Sequence, residues 1–259
     1  MENQIKKAIK SGNSSAVILP RSWLNKEVRV ELLEKTPEII LSDAIDILQK
    51  YIKLKEIIGI YLVGSYAREE QDKNSDIDLL IITNNIDREI IHEGIYNLLI
   101  ISSKLLEQKL EIDLFPIGPM IKEAKPLLNS YFLNPIKIKV TKNNVKWYLD
   151  TTENKLNLIE EVIEKLKNSN KKNVSDSVAY TLVLRIRTLY LIQKLIENKN
   201  YSKRDLVNFI KKISKGNNAY EGYLNIKNNQ EDQFKISLKD AERLYYYLKD
   251  QLEKIKIIL

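Results

Sequence analysis

Two aspartates separated by one residue stand at the start of an apolar strand, shortly after a Gly-Ser turn. Gly64 and Ser65 follow the apolar run 57–63, and Asp76 and Asp78 open the apolar run 77–83. Side chains alternate between the two faces of a strand, so both carboxylates are predicted to project from the same face. This arrangement constrains the fold to one in which two adjacent strands bring a turn and an acidic pair together.

The acidic pair and the turn predict complementary chemistry. Two neighbouring carboxylates repel each other unless a cation lies between them, and Mg²⁺ prefers carboxylate oxygens while keeping positions open for phosphate and water. The backbone N–H groups of a Gly-Ser turn suit a phosphate. A metal site beside a phosphate site indicates nucleotide chemistry.

The same residues resemble the signature of the polymerase-β-type nucleotidyltransferases, especially their minimal, MNT-like branch. The resemblance implies that Asp76 and Asp78 bind metal and are catalytic. It also implies a third carboxylate on a later strand, and Asp113 within the alternating run 110–115 is the candidate for a catalytic residue and metal ligand. Two Mg²⁺ ions and a nucleoside triphosphate, with ATP as the expected one, complete the implied site.

The resemblance extends to the phosphate-binding residues. It implies that Gly64 and Ser65 bind the β- and γ-phosphates, and that Arg68 contacts phosphate. One departure is visible, because Glu69 stands where the family often has glycine. The alternative interpretation of the whole motif is a surface turn followed by two solvated aspartates.

Composition restricts the class of protein. The 259 residues are 44% hydrophobic and 30% charged, with a net charge of +7, which is a globular balance that favours anionic partners. There are no cysteines, so disulfides and thiolate metal sites are excluded. The first residues do not read as a signal peptide and no stretch predicts a membrane span, so we expect a cytoplasmic protein with no membrane partner.

The N-terminal segment, residues 1–37, is predicted to form two strands around a Ser-Gly-Asn turn, a helical turn at Ser22 and a third strand over 27–32. Its Lys-x-Gly-Asn-Ser…Pro-Arg-like pattern resembles the swapped-hairpin domain of AbrB- and MazE-type regulators. That resemblance implies a homodimer. It also implies that the candidates for DNA-binding residues are Lys6, Lys7, Lys10, Asn13 and Arg21. The alternative is a dimerisation or docking segment without a DNA role.

Residues 38–143 are predicted to form the nucleotidyltransferase domain, a small mixed sheet backed by helices, which makes the fold class α+β. Besides the two strands already named, the pattern predicts a helix that Ser42 caps, a helix over 87–108 and a strand over 110–117 that carries Asp113. The single histidine, His92, falls in the second of these helices and receives no role.

Residues 144–259 are predicted to be a helical substrate-binding domain, with helices at 144–169, 174–198, 203–213 and 237–257 and a poorly defined one near 218–227. Tyr180 and Arg187 share a face of the second helix and are possible substrate-binding residues. The segment resembles the helical domain that follows many minimal nucleotidyltransferases. Ordinary packing around solvated lysines explains the same pattern.

The leading hypothesis is a Mg²⁺-dependent enzyme that transfers a nucleoside monophosphate from a nucleoside triphosphate to a hydroxyl of a protein, an RNA or a small molecule. The N-terminal segment suggests a toxin–antitoxin or regulatory setting. The alternatives are a dimeric DNA-binding regulator whose nucleotidyltransferase domain binds nucleotide without turnover, and an inactive nucleotide-binding scaffold.

Overall fold

The computed structural model describes residues 6, 8–28, 30, 35–72, 75–233 and 236–259, apart from the side chain of Glu89. The chain divides into two compact units, Met1–Thr36 and Pro37–Leu259. The predicted boundary near residue 143 falls inside the second unit, where it remains a prediction.

The first unit contains a short hairpin. Strands β1 (Ile9–Ser11) and β2 (Ser14–Ala16) pair antiparallel, and Gly12 between them has a positive φ of 59°, which a glycine adopts without strain. A single 3₁₀ turn follows at Arg21–Trp23. Residues 27, 28 and 30 of the predicted third strand are not in a strand, and the rest of that prediction lies outside the described residues.

The second unit begins with helix α1 (Pro37–Leu48) and strand β3 (Ile57–Val63). Ser42 therefore lies inside α1, and the predicted cap at this residue is wrong. A proline is well placed at a helix start because its missing N–H would have no partner there. The single turn α2 (Gly64–Ala67) and strand β4 (Ile77–Thr83) follow, so both strands of the acidic motif are confirmed.

The predicted helix over 87–108 is wrong. Strands β5 (Arg88–Glu93) and β6 (Tyr96–Ser102) occupy most of it, and helix α3 (Ser103–Ile112) starts only after them. Gly94 makes the hairpin turn with a φ of 61°, and the Ser102 hydroxyl caps α3 by accepting from the Leu105 amide at 3.1 Å. His92 lies on β5 and its Nδ1 is 2.7 Å from Asn97 Oδ1.

The predicted strand over 110–117 is also wrong. Asp113 is the residue that ends α3, and helix α4 (Ile117–Glu123) follows within a few residues. Strand β7 (Lys125–Leu128) then adds to the sheet. The sheet order is β5-β6-β4-β3-β7, with β4 and β6 parallel and the other neighbours antiparallel.

Each face of this five-stranded sheet packs on helices. Ile60, Leu62, Leu79 and Ile81 are buried on the face that α1 covers. The opposite face, to which Asp78 belongs by alternation, contributes buried residues to a cluster with α3 and α4 that contains Tyr61, Val63, Leu80, Ile82, Leu106 and Ile117. Mixed strands covered on both sides are the predicted α+β architecture.

The remainder is helical, and the predicted helices agree with it closely. It comprises α5 (Lys142–Asn168), α6 (Asp176–Ile196), α7 (Lys203–Ser214), α8 (Asn218–Lys227) and α9 (Leu238–Ile258), with the two-residue strands β8 (Asn173–Val174) and β9 (Ile236–Ser237). Ser237 caps α9, because its hydroxyl accepts from the Asp240 amide at 3.1 Å. Within the described ranges no helix is long and apolar enough to cross a membrane.

Candidate active site

Three strand ends meet at one edge of the sheet. Val63, the last residue of β3, is paired with Asp78 on β4, and Asp78 is paired with Asn97 on β6. Asn97 Nδ2 donates a hydrogen bond of 3.0 Å to Asp78 Oδ1. The Gly-Ser turn, the acidic pair and an asparagine are therefore neighbours, as the register of a mixed sheet requires.

The two aspartates of the acidic pair lie in different electrostatic environments. Burial raises the pKa of Asp78, the nearby Asp76 carboxylate raises it further, and the hydrogen bond from Asn97 lowers it. Asp76, immediately before β4, is exposed. A half-buried carboxylate whose charge is opposed by its neighbour is an environment that a cation would stabilise.

Position 64 requires a glycine because its backbone lies so close to the Asp78 side chain. Its φ is 70°, and a Cβ built on it would lie 2.3 Å from Asp78 Oδ2. Only glycine fits both the backbone conformation and the close approach. Ser65 follows within α2, and its carbonyl accepts from the Glu70 amide at 2.9 Å, which closes the turn.

Glu123 is a member of this site that no sequence pattern indicates. It ends α4, and its Oε1 accepts a 2.7 Å hydrogen bond from the Gly64 amide. Its Oε2 lies 2.5 Å from a terminal nitrogen of Arg68. Burial and the Asp78 charge raise the pKa of Glu123, although Arg68 lowers it. Two of the three residues expected to bind phosphate, Gly64 and Arg68, thus converge on one carboxylate.

Arg68 is held from several sides. Its Nε donates to Glu70 Oε2 at 3.0 Å, and its guanidinium carbon lies 5.1 Å from the centre of the Tyr201 ring. Burial lowers the pKa of Arg68, but the charges and hydrogen bonds of Glu123 and Glu70 outweigh burial and raise it. Arg68 is therefore a fixed cation beside the Gly-Ser turn.

Asp113 does not join Asp76 and Asp78. Its carboxylate accepts from Tyr148 at 2.8 Å and from Lys109 at 2.8 Å at the end of α3. In the part of the chain that is described, no three His, Cys, Asp or Glu residues form a group able to hold a metal. The strand neighbour of Asp78 is Asn97, so an amide stands there instead of a third carboxylate.

Glu70 connects the turn to the helical region. Its carboxylate accepts from the Ser202 hydroxyl at 2.9 Å and from the amides of Lys203 at 2.9 Å and Arg204 at 3.3 Å, all at the start of α7. Its side chain is only 14% exposed. The Glu70 carboxylate thus accepts hydrogen bonds both from Arg68, beside the Gly-Ser turn, and from the start of α7 in the helical region.

Replacing Glu70 by alanine is expected to lower the free energy of unfolding by about 2–4 kcal/mol, because hydrogen bonds to a charged group contribute about 1.5–3 kcal/mol each and are not additive. Urea denaturation followed by circular dichroism would measure the change. Glu69→Ala is the matched control, since Glu69 is 79% exposed and pairs only with Lys125 among the described ion pairs. Equal unfolding free energies for Glu70→Ala and the wild type would contradict the structural role.

Tyr180 and Arg187 lie near a group of tyrosines. Tyr180 stacks on Tyr223 with ring centres 5.5 Å apart and an angle of 12°, and Tyr220 lies 5.6 Å from Tyr223. Burial raises the pKa of Tyr201, while the charges of Arg187 and Arg68 lower it. Tyr201 therefore lies within electrostatic reach of both Arg187 and Arg68, the arginine beside the Gly-Ser turn.

The possible DNA-binding residues of the first unit are exposed where they are described, namely Lys6, Lys10, Asn13 and Arg21. Lys7 lies outside the described residues. Asn13 is in the hairpin turn between β1 and β2, and Arg21 begins the 3₁₀ turn.

The donor set fits a hard cation. Asp76 and Asp78 offer carboxylate oxygens at an open strand end, and Mg²⁺ is commonly bound by one or two carboxylates together with substrate phosphates and water. The fit is supported by the placement of a partly buried carboxylate, Asp78, beside a second, exposed one, Asp76; burial and then the Asp76 charge raise the pKa of Asp78. The number of ions remains a prediction.

Comparison with known proteins identifies the family. Residues 41–256 match the family model described as the nucleotidyltransferase domain. A crystal structure of a nucleotidyltransferase-like protein from Exiguobacterium sibiricum is 12% identical, with a TM-score of 0.34 over 83% of this chain and 75% of that one. No match is found among curated proteins. Since the matched range covers most of the chain, the protein belongs to the nucleotidyltransferase domain family.

Proposed function

We propose that this nucleotidyltransferase transfers a nucleoside monophosphate from a nucleoside triphosphate to a hydroxyl acceptor in a Mg²⁺-dependent reaction that releases pyrophosphate. The observation that carries the proposal is the placement of Asp78 against Gly64, where a Cβ on the glycine would lie 2.3 Å from the carboxylate. Metal-binding and phosphate-binding groups are adjacent, which is the arrangement that nucleotidyl transfer needs.

The residues have separate roles in this proposal. Asp76 and Asp78 hold the cation, which when bound neutralises charge on the phosphates. The Gly64 amide, Ser65 and Arg68 bind the outer phosphates and so orient the α-phosphate toward the acceptor. Asn97 fixes the Asp78 carboxylate through its 3.0 Å hydrogen bond. Protein side chains contribute positioning and charge rather than a covalent intermediate.

ATP as the triphosphate, the MNT-like subtype and a toxin–antitoxin setting are the finer parts of the proposal. The acceptor is a protein, an RNA or a small molecule that lies against the helical region, and Tyr180 and Arg187 are its proposed contacts. The contact of Tyr201 with Arg68 and the stacking of Tyr180 on Tyr223 support that location, because aromatic rings and arginine bind planar or anionic groups.

A label-transfer experiment tests the function. Purified protein, Mg²⁺ and each α-³²P-labelled nucleoside triphosphate in turn are incubated with cell extract, and the products are separated into protein, RNA and small molecules. We expect label in one class, with release of pyrophosphate. An Asp78→Asn variant prepared in the same way controls for contaminating transferases. Equal labelling with that variant, or no labelling with any triphosphate, would overturn the proposal.

We also propose that the first unit pairs with a second copy of the chain. The exposed apolar side chains of this unit are the observation that supports the pairing. Ile18 is 68% exposed, Leu24 72% and Val30 69%, which supports pairing with a second copy as in the swapped-hairpin regulators. DNA binding through Lys6, Lys7, Lys10, Asn13 and Arg21 is the alternative function proposed for this unit. A regulator would bind DNA with a steep salt dependence that survives Asp78→Asn, and light scattering of the full chain would report a dimer. A monomer would rule out the pairing.

A further inference from the structure

The carboxylate of Glu123 lies where the proposed function needs a phosphate. We propose that Glu123 occupies a phosphate position of the nucleotide site, and that the triphosphate must displace it from Gly64 and Arg68 in order to bind. The inference rests on the proposed function, because it takes these two groups to be the phosphate donors. It adds a self-inhibitory contact to that site.

The contacts of Glu123 are those that an oxyanion makes. Glu123 Oε1 accepts from the Gly64 amide at 2.7 Å and Glu123 Oε2 lies 2.5 Å from the Arg68 nitrogen. A backbone amide and a guanidinium that converge on both oxygens of one carboxylate form a site for an oxyanion. A phosphate oxygen pair can make the same contacts, so the two anions compete for the same donors.

The environment of Glu123 favours the substrate in this competition. Its side chain is only 12% exposed, and the charge of Asp78 acts on it unfavourably. The contact with Arg68 opposes that repulsion. A phosphate brings more negative charge to Arg68 and arrives with a cation that neutralises Asp78, so the substrate is the stronger competitor for this position.

The end of α4 lies beside a cleft. Lys122 and Ala124, the neighbours of Glu123, line a cleft of about 600 Å³ together with Tyr61 and Asn198. One side of the last turn of α4 thus borders open space, while Ile121 of the same turn is buried in the core and Glu123 does not line the cleft. Arg68 keeps its bond to Glu70 when Glu123 leaves, so the cation remains in place for the phosphate.

Competition of this kind has a measurable consequence. When only a fraction of molecules has the binding-competent arrangement, the apparent affinity for ligand falls by that fraction. Removing the charge of Glu123 weakens its hold on Arg68 and removes its repulsion of phosphate. The Glu123→Gln variant is therefore expected to bind phosphates more tightly than the wild type.

The experiment uses isothermal titration calorimetry on the full chain, with inorganic tripolyphosphate in EDTA and with ATP in Mg²⁺ as separate probes. We expect Glu123→Gln to lower the dissociation constant of tripolyphosphate by about tenfold or more, since each tenfold corresponds to about 1.4 kcal/mol. Glu69→Gln is the matched control. It changes the charge by the same amount beside the same turn, but Glu69 is 79% exposed and contacts Lys125, so we expect less than about a twofold change.

The outcomes separate the inference from the function. Wild-type binding with equal or weaker binding by Glu123→Gln would overturn the inference and leave the proposed function standing. Failure of both proteins to bind ATP in Mg²⁺ would contradict the inference and the proposed function together. An equal increase in tripolyphosphate affinity in Glu123→Gln and Glu69→Gln would mean that the loss of one negative charge near the turn explains the effect. The contact of Glu123 with Gly64 and Arg68 would then not be its cause, and the inference would be overturned. Glu123→Asp, which keeps the charge but shortens the side chain, is expected to bind tripolyphosphate more tightly than the wild type and guards against a misfolded Gln variant.

Discussion

Replacement of Asp78 by asparagine is expected to lower nucleotide transfer by about a thousandfold or more, since charge stabilisation at a phosphoryl centre is the main catalytic contribution of such a site. The amide keeps the shape of the carboxylate but offers a cation only a neutral oxygen. Asn97 can still donate to that oxygen. Because burial and Asp76 both disfavour the Asp78 charge, we expect the melting temperature to stay the same or rise.

Transfer of α-³²P label and differential scanning calorimetry on the same preparation would test both halves of this prediction. Asp150→Asn is the matched control, because Asp150 lies on α5 with its side chain 51% exposed and pairs with Lys146. We expect full activity from it. A variant at Asp78 that retains more than about a tenth of wild-type transfer would mean that the acidic pair does not hold the catalytic cation.

Replacement of Gly64 by alanine is the second change with a large expected effect. The added Cβ would lie 2.3 Å from Asp78 Oδ2 on a backbone with φ of 70°, so the turn or the carboxylate must move. The positive φ alone costs a non-glycine residue about 1–3 kcal/mol when the surroundings enforce it. We expect lower unfolding free energy and, because a misplaced catalytic group costs about a hundredfold, at least that loss of transfer.

Two glycines serve as controls that separate the causes. Gly94 has a φ of 61° and Gly216 has no positive φ, and a Cβ added to either would have no atom within 4 Å. Gly94→Ala is expected to lose stability without losing transfer, and Gly216→Ala to change neither. If Gly64→Ala lost no more transfer than Gly94→Ala, the contact with Asp78 would not be what fixes the site.

The two strands of the acidic motif can be predicted because their local sequence is sufficient to indicate a strand. Ile57–Val63 and Ile77–Thr83 are short apolar runs bounded by turn residues, and the helices of the C-terminal region have helical apolar spacing. The β5–β6 hairpin is harder, because Ile90, Ile91 and Ile95 suit either a helix or a strand. The signals that favour the hairpin are the turn at Gly94 and the β-branched pair 100–101.

Two residues of the site have no local signal at all. Asn97 is an ordinary polar residue in a strand until the parallel pairing of β4 and β6 places it opposite Asp78. Glu123 reaches Gly64 only because α4 packs on the sheet face that carries Val63. Both relations are long-range in sequence, so no local pattern carries them. The position of Asp113 is unpredictable for the same reason, since its prediction depends on a strand that does not form.

The bonds of Glu70 have a mechanical consequence. Its carboxylate holds Arg68 with one oxygen and, with both oxygens, the first amides of α7. A displacement of Arg68 by about 1 Å during a reaction step would therefore pull on α7, as packed elements transmit small shifts rather than absorb them. Through this one carboxylate, the position of Arg68 and the position of the start of α7 depend on each other.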